Sequence, residues 1–246
     1  MVLNIAAYKF VRIADPDAMA ARLHAQAEAE ALLGTILLAH EGVNLFLAGN
    51  DAAIDAFIEF LKADPQFSDI RFKRSRSDTQ PFARLKVKVK PEIIGFRQRD
   101  ASPLEARAPA VPPETLARWI AQGHDDQGKR LVLLDTRNQQ EVAHGSFVDA
   151  MTLPIDRFTD FPAAVEVHRE SLSDATVVSF CTGGIRCEKA AMWLRANGMD
   201  NVLQLDGGIL GYFEHVGGQG YQGRCFVFDE RVSLDPALQP AKDMGV

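Results

Sequence analysis

The chain has 246 residues, of which 47% are hydrophobic and 24% charged, a composition that favours about two ordinary globular domains. A net charge of −6 argues against a protein coated by nucleic acid over its whole surface, and no uninterrupted apolar stretch approaches the ~18 residues of a membrane span. The N-terminus lacks the basic leader of a signal peptide, and three cysteines are too few for a disulfide framework, so the sequence predicts a reducing, cytoplasmic setting.

The first part of the chain predicts a small α+β domain over residues 1–99. Its elements, in order, are a strand at Leu3–Val11, a helix from Pro16 to near Leu33 stopped by Gly34, hairpin strands at Thr35–Ala39 and Val43–Ala48, a helix from Asp51, and strands at Ile70–Arg76 and Arg84–Val89. This β-α-β-β-α-β order is the plan of ferredoxin-like and acylphosphatase-like domains.

Basic residues are concentrated at the end of this domain. Ten basic residues and only two acids, Asp78 and Glu92, lie in the segment 70–99, which gives ten minus two, a local charge of +8. Lys86 and Lys88 alternate with apolar residues and share one strand face, which is either a solvated surface or a contact for a polyanion. The ten residues are Arg71, Lys73, Arg74, Arg76, Arg84, Lys86, Lys88, Lys90, Arg97 and Arg99, and all but the last two are candidates for RNA binding.

A stretch rich in alanine and proline, from Asp100 to Pro113, predicts a linker. Residues 114–235 predict a second domain, followed by a tail at 236–246. The elements of this domain are a helix at Glu114–Ala121, strands at Leu131–Leu134 and Val177–Phe180, a helix at Glu188–Asn197 closed by Gly198, and a strand at Val202–Leu205. Because these strands are apolar on both faces and alternate with helices, they predict a parallel α/β sheet covered on both sides.

The segment FCTGGIRCEKA, residues 180–190, places a cysteine between a buried strand and a helix. Cys181 would stand at the carboxyl end of a parallel strand and near a helix N-terminus, and the helix N-terminus lowers the pKa of a thiol. Gly183 and Gly184 allow the backbone to curl around the sulfur, and Arg186 adds a positive charge. We therefore predict that Cys181 is a nucleophile in an anion-binding loop formed by Thr182, Gly183, Gly184, Ile185 and Arg186.

This strand, cysteine-led loop and helix resemble the active-site loop of rhodanese-fold sulfurtransferases. The stretch from Asp135 to Ile155 and the turn Asp206–Ile209 resemble other segments of that fold in the same order. Tyr212 stands near a place that many members fill with Trp. The resemblance implies a rhodanese-like parallel α/β domain, in which Asp135 and Arg137 either line the rim of the pocket or simply end a strand.

A narrower resemblance covers nearly the whole chain. The loop CTGGIRCEKA, with HEGVN at His40–Asn44 before it and GRCFVFDERV at Gly223–Val232 after it, resembles a bacterial family associated with oxygen-dependent hydroxylation of the wobble uridine of tRNA. The resemblance implies tRNA as partner and dioxygen as co-substrate. No flavin, haem or iron motif is visible, so no cofactor is predicted. Longer members continue with a cysteine-bearing extension, whereas this chain ends fourteen residues after Val232.

Other functions are compatible with the same loop. A thiosulfate or persulfide sulfurtransferase would use Cys181 to attack a sulfur donor and would carry the sulfur as a persulfide. A non-catalytic module would use Cys181 only to report oxidation. A cysteine phosphatase fits less well, because four residues separate Cys181 from Arg186, whereas five leave room for a tetrahedral phosphate.

Several further residues have alternative interpretations. Cys187 is either a resolving thiol for the nucleophile or a packing residue between helix and sheet. Cys225 lies in an apolar run and is predicted to be core, whereas Glu188 and Lys189 are predicted on an exposed first helical turn. His40 either caps a turn or faces RNA. The cysteines fit no common zinc spacing, so no metal site is predicted.

Overall fold

The computed structural model describes residues 1–98, 101–104 and 106–241, which form two compact units. The first unit contains Met1–Gly95 together with Phe228–Arg231, and the second contains Phe96–Val227 and the described residues from Val232 onward. Parts of the predicted first domain, linker and tail lie outside the described residues, namely Arg99, Asp100, Glu105 and residues 242–246. Across the described ranges, no helix combines the length and the apolar character needed to cross a bilayer.

The first unit has one five-stranded sheet and two α-helices. Its elements are β1 (Val2–Phe10), α1 (Pro16–Ala29), β2 (Leu33–Ala39), β3 (Gly42–Gly49), α2 (Asp51–Ala63), β4 (Lys73–Ser77) and β5 (Leu85–Val89). The strand order is β4-β1-β3-β2-β5, and neighbouring strands are antiparallel except β2 and β5, which are parallel. The predicted acylphosphatase-like plan is confirmed, with β5 as an additional strand at one edge.

Both helices of this unit pack against the same face of the sheet. The side chain of Asp15 accepts a hydrogen bond from the backbone N–H of Ala18 at 2.9 Å and so caps the start of α1. The apolar residues of the two helices recur at helical spacing and are buried in one core cluster with alternate strand residues. The buried helix residues include Met19, Leu23 and Ala27 of α1 and Ile54, Phe57, Ile58 and Leu61 of α2.

The predicted end of α1 is wrong. The helix ends at Ala29 and not near Leu33, and Gly34 lies inside β2 instead of stopping the helix. The chain turns at Ala31, whose φ is 52°. Gly34 has a φ of 140°, and a Cβ there would lie 2.0 Å from the carbonyl oxygen of Phe46 on β3. This glycine therefore marks a close approach of two strands, which cannot be distinguished from a helix stop in the sequence alone.

The second unit is an α/β domain. Its elements are β6 (Ala110–Val111), α3 (Pro113–Gln122), β7 (Leu131–Asp135), α4 (Gln139–Val142), β8 (Gly145–Phe147), α5 (Phe161–Glu166), α6 (Arg169–Leu172), β9 (Thr176–Phe180), α7 (Ile185–Ala196), β10 (Val202–Leu205), α8 (Gly208–Val216), β11 (Tyr221–Gly223), β12 (Cys225–Phe226) and β13 (Ser233–Leu234). A parallel sheet has the order β6-β10-β9-β7, and two small antiparallel pairs join β8 with β11 and β12 with β13. Every residue of β9 is buried, as expected for a sheet covered on both faces.

Part of the predicted linker belongs to the sheet of the second unit. Ala110 and Val111 pair in parallel with β10, opposite Gln204 and Leu205. The side chain of Gln204 also donates a hydrogen bond to the carbonyl oxygen of Ala108 at 3.0 Å. The sequence did not indicate this strand because two residues are too few to show the alternation of a strand.

Candidate active site

Cys181 directly follows β9 and stands at the carboxyl end of this central strand. The helix that follows, α7, begins at Ile185 and not at Glu188 as predicted, so the loop between strand and helix is short. Cys181 is fully buried, and the backbone N–H of Gly184 points at its Sγ from 3.2 Å. Gly184 has a φ of 104°, a left-handed conformation that glycine adopts readily.

The surroundings of Cys181 hold its sulfur as a thiolate. Burial raises the pKa of this thiol, but a hydrogen bond from the Cys187 thiol, the charge of Arg186 and the backbone N–H groups of both residues bring the pKa well below its ordinary value. Burial and the neighbouring sulfur of Cys181 have the opposite effect on Cys187 and raise the pKa of its thiol. We assign the negative charge to Cys181, because the N–H groups at the start of α7 point at its sulfur.

Cys187 both packs in the interior and lies close to Cys181. It is fully buried, and its thiol donates to the carbonyl oxygen of Gly184, with Sγ and oxygen 2.9 Å apart. The two thiols lie close enough for each to shift the pKa of the other, which is the proximity that a resolving thiol requires. Its role as a resolving thiol stays a prediction.

Arg186 lies beside Cys181, and its charge is also compensated by an ion pair with Glu141. Nη1 and Nη2 of Arg186 donate to the two carboxylate oxygens of Glu141 at 2.5 and 2.6 Å. Both residues are buried, with 5% and 1% of their surface exposed. Glu141 also accepts from the backbone N–H of Asn138 at 3.2 Å, and the two residues form a capping box at the start of α4.

The turn at Asp206–Ile209 fixes the backbone of the cysteine loop. The backbone N–H of Ile209 donates to the carbonyl oxygen of Cys181 at 2.9 Å, and that of Leu210 donates to Thr182 at 3.0 Å. Gly208 has a φ of 63°, and a Cβ at this position would lie 2.5 Å from the Cys181 carbonyl oxygen. The turn therefore tolerates only glycine at the place where it contacts the loop.

The short strand β12 lies next to the loop at Thr182. The hydroxyl oxygen of Thr182 lies 3.4 Å from the carbonyl oxygen of Phe226 and 3.5 Å from Oε1 of Glu141. Cys225, the first residue of β12, is fully buried in a core cluster as predicted. Burial raises the pKa of the Cys225 thiol to about 12, so this cysteine is protonated at neutral pH.

Asp135 and Arg137 form a fully buried ion pair. Nη2 of Arg137 donates to Asp135 at 2.6 Å and to the carbonyl oxygen of Gly145 at 2.7 Å, and both charged residues have no exposed surface. The hydroxyl of Ser146 donates to the same carboxylate at 2.8 Å. This network joins the end of β7 to β8, so neither charged side chain lines an open pocket rim.

The predicted exposure of Glu188 and Lys189 is wrong. Only 1% and 2% of their surfaces are exposed. Arg107, which belongs to the predicted linker, donates from Nε and Nη2 to the two oxygens of Glu188 at 2.6 and 2.9 Å. A segment that was expected to separate two domains thus covers the first turns of α7, which local sequence patterns do not reveal.

The HEGVN motif organises the backbone of the first unit. His40 is exposed, and its Nδ1 lies 3.0 Å from the carbonyl oxygen of Ile13. Glu41 accepts a hydrogen bond from the backbone N–H of Ile93 at 2.8 Å, and the side-chain amide of Asn44 donates to the carbonyl oxygen of the same residue at 3.2 Å. These contacts favour the turn-capping interpretation of His40, and a contact of His40 with RNA stays a prediction.

The predicted basic cluster is divided between two places. The cations on β4 and those on β5 lie at opposite edges of the five-stranded sheet. At the β4 edge, Arg74 pairs with Asp55 at 2.9 Å and Arg76 donates to both oxygens of Asp51 at 3.0 and 2.9 Å. The eight candidate RNA-binding residues therefore do not form one continuous surface.

Two residues that shape the site were missed as functional residues from the sequence. Glu141 lies within the stretch from Asp135 to Ile155 and was not singled out, although Asn138 three positions before it gives the pattern of a capping box. Gly208 was assigned only to a turn. Within the described part of the chain, no three His, Cys, Asp or Glu side chains are grouped as metal ligands would be.

Two segments of the chain match known families. Residues 2–93 match the family described as UPF0176 acylphosphatase like domain, and residues 113–215 match the rhodanese-like domain. Among solved structures, the chain is similar to a rhodanese-like domain from Anabaena sp., with 21% identity and a TM-score of 0.38 over 47% of this chain and 79% of that one.

Similarity to curated relatives extends over the whole chain. A protein of Xanthomonas euvesicatoria pv. vesicatoria is 65% identical over 243 residues, which are 99% of this chain and 98% of the relative. A protein of Xylella fastidiosa is 61% identical over 246 residues, which are 100% of this chain and 96% of the relative. Both are named tRNA uridine(34) hydroxylase. Because this identity spans both units in the same order, the chain belongs to the family of tRNA uridine(34) hydroxylases.

Proposed function

We propose that this protein hydroxylates uridine 34 of tRNA and that Cys181 is its nucleophile. The observation that carries the proposal is the 61–65% identity to tRNA uridine(34) hydroxylases over essentially the whole chain. The thiolate of Cys181, stabilised by N–H groups and by Arg186, supports its assignment as the nucleophile. A tRNA substrate also favours a cytoplasmic location, which is part of this proposal.

The uracil ring is a suitable target for a thiolate. Its carbon–carbon double bond is conjugated with a carbonyl group, so a thiolate adds to one carbon and makes the neighbouring carbon electron-rich. That second carbon takes one oxygen atom, and loss of its proton then expels the thiolate and restores the double bond. In this scheme Cys181 forms a carbon–sulfur bond to the base and is regenerated.

Dioxygen is the proposed co-substrate. One of its atoms becomes the new hydroxyl oxygen, and the other leaves as water after it takes up two electrons and two protons from a reductant such as a cellular thiol. Incubation of the purified protein and unmodified tRNA under isotopically labelled dioxygen tests this assignment. Label in the modified nucleoside supports the assignment of dioxygen. A parallel incubation in labelled water contradicts it if label enters the nucleoside only there.

The function itself is tested in cells that lack the gene. They receive wild type, Cys181→Ala or the matched control Cys225→Ala, which removes a buried cysteine that is protonated at neutral pH. We expect nucleoside mass spectrometry of total tRNA to show hydroxylated uridine with wild type and with Cys225→Ala, but not with Cys181→Ala. No hydroxylated uridine with wild type would reject the function, and an equal amount with Cys181→Ala would reject the nucleophile.

Sulfur transfer is the second candidate function, and the contact between Gly184 and the Cys181 sulfur favours it. An N–H group at 3.2 Å from Sγ stabilises the thiolate, which is the form of Cys181 that would attack a sulfur donor. Cys181 would attack thiosulfate, take its outer sulfur and release sulfite. Intact-mass measurement after thiosulfate treatment should then show one added sulfur atom in wild type and none in Cys181→Ala. An unmodified wild-type mass would reject this candidate.

A further inference from the structure

Four basic residues along β5 differ from the other cations of the first unit. Arg84 directly precedes the strand, Lys86 and Lys88 lie within it, and Lys90 directly follows it. All four are exposed. Within the part of the chain that the structure describes, none of the four side chains forms an ion pair or a hydrogen bond. We call these four residues the basic strip.

The fold holds the basic strip on one face of an edge strand. Leu85 and Val87 pack against the core that both helices share. Because side chains alternate along a strand, the even-numbered residues between and around them point to the opposite face of the sheet. Lys86 and Lys88 stand beside Thr35 and Leu37 of β2 in the parallel register. The strip thus has a rigid backbone, with successive charges about 6.6 Å apart along the strand.

The opposite edge of the same sheet has comparable charge but a different environment. Arg74 and Arg76 on β4 are paired with Asp55 and Asp51 of α2. Their charges are compensated by neighbouring carboxylates, so they attract a polyanion less than the strip does. The two edges therefore provide an internal comparison between paired and unpaired cations.

We propose that the basic strip binds the phosphate backbone of the tRNA substrate. This inference rests on the proposed function for the identity of the polyanion. A protein with a net charge of −6 repels RNA over much of its surface, so a local row of uncompensated cations directs where RNA binds. The spacing of the strip is comparable to that of successive phosphates in an RNA strand, and lysines bind phosphates as point charges without reading sequence.

Two variants that change the net charge equally test whether the basic strip binds tRNA. Lys86→Gln/Lys88→Gln removes two charges from it, and Arg74→Gln/Arg76→Gln removes two charges from the β4 edge, so the net charge changes equally. Binding of unmodified tRNA is measured by fluorescence anisotropy over a series of salt concentrations. We expect the strip variant to bind at least about tenfold more weakly at low salt, and its plot of log affinity against log salt to lose about 1.4–1.8 from its slope. The β4 variant should keep the wild-type slope.

Two outcomes would contradict the proposed binding of tRNA by the basic strip. Wild-type binding by the strip variant would exclude these lysines, and an acidic protein would then be the better candidate partner. An equal loss in both variants would show that only the total charge matters. The hydroxylation assay keeps this result separate from the proposed function: the strip variant should raise KM for tRNA and leave kcat unchanged. If the protein hydroxylates tRNA and the strip variant binds tRNA as wild type does, only the role of the basic strip is rejected. If tRNA binding depends on the strip but the protein does not hydroxylate uridine 34, only the proposed function is rejected.

Discussion

Glu141 and Arg186, which are 45 residues apart in the chain, meet through two hydrogen bonds of 2.5 and 2.6 Å in the interior of the second unit. Glu141 closes the capping box of α4, and Arg186 lies in the first turn of α7, close to Cys181. This pair compensates the charge of Arg186 without removing its influence on Cys181, whose pKa it still lowers. The site therefore contains one positive charge, on Arg186, between two negative ones, on Glu141 and the Cys181 thiolate.

Replacing Arg186 should raise the pKa of Cys181. In Arg186→Gln, the positive charge that favours the thiolate is lost, so the thiolate should form only at higher pH than in wild type. Titration of the ultraviolet absorbance of the thiolate, with Cys181→Ser as the blank, measures this shift. Hydroxylation near neutral pH should fall and recover partly at alkaline pH. An unshifted titration would show that Arg186 does not contribute to the pKa of Cys181.

The same substitution should destabilise the fold, because it leaves the carboxylate of Glu141 buried without its partner. Removal of one member of a buried ion pair costs about 3–5 kcal/mol. The double variant Glu141→Gln/Arg186→Gln should recover much of this free energy of unfolding but should not restore the pKa of Cys181. Chemical denaturation of the single and double variants measures the first effect. Equal stability of both variants would contradict the pairing.

Gly208→Ala should disable the loop. Its Cβ would stand 2.5 Å from the carbonyl oxygen of Cys181, so the loop or the turn must move. The matched control is Gly198→Ala, which has a similar positive φ of 86° but meets no atom within 4 Å. Both variants carry the backbone strain, whereas only Gly208→Ala carries the clash. We expect hydroxylation to be lost only in Gly208→Ala, and equal activity of the two variants would exclude the contact as important.

The buried pair of Asp135 and Arg137 should contribute to stability and not to binding. Arg137→Ala leaves the Asp135 carboxylate buried without its cation, which costs about 3–5 kcal/mol of the free energy of unfolding. Arg130→Ala is the control, because its ion pair with Asp174 is exposed and its loss should change stability little. Urea denaturation of the two variants compares them. Similar stabilities would show that the buried pair is replaceable.

Cys187 is predicted to resolve an oxidised Cys181. Hydrogen peroxide converts a thiolate to a sulfenic acid, and attack by a neighbouring thiol then forms a disulfide and releases water. Treated wild type should therefore lose the mass of two hydrogen atoms, and peptide mapping should join Cys181 to Cys187. Cys187→Ser should instead gain oxygen atoms at Cys181, and Cys225→Ala should behave as wild type. Added oxygen without a disulfide in wild type would favour the packing role alone.

Periodic features of the sequence were sufficient to predict the β-α-β-β-α-β plan of the first unit and the parallel α/β sheet of the second, whereas the rhodanese-like fold was implied by a resemblance. The core face of α2 and the fully apolar strand β9 follow from local spacing, and both are confirmed. The errors fall where a distant residue decides the local structure. Gly34 serves a contact with Phe46, and the strand at Ala110–Val111 exists because β10 pairs with it.

The candidate site shows the same division. The order of strand, Cys181 and helix could be predicted, since each part has a local pattern. The partner of Arg186 and the burial of Glu188 could not be predicted. Their partners, Glu141 and Arg107, lie far away in sequence, and other carboxylates or guanidinium groups of the chain could equally have formed these ion pairs. Counting charges along the sequence also placed the cations of β4 and β5 in one cluster, because the two strands are close in sequence. In the fold they lie at opposite edges of the sheet.

The three cysteines differ in reactivity only because of the fold. In an unfolded chain each thiol has an ordinary pKa of about 8.5, so no one of them is a better nucleophile than the others. Folding of the second unit lowers the pKa of Cys181 and raises those of Cys187 and Cys225. In a chain emerging from the ribosome, no cysteine is therefore more reactive than the others. The reactive thiolate of Cys181 forms only when the second unit has folded around it.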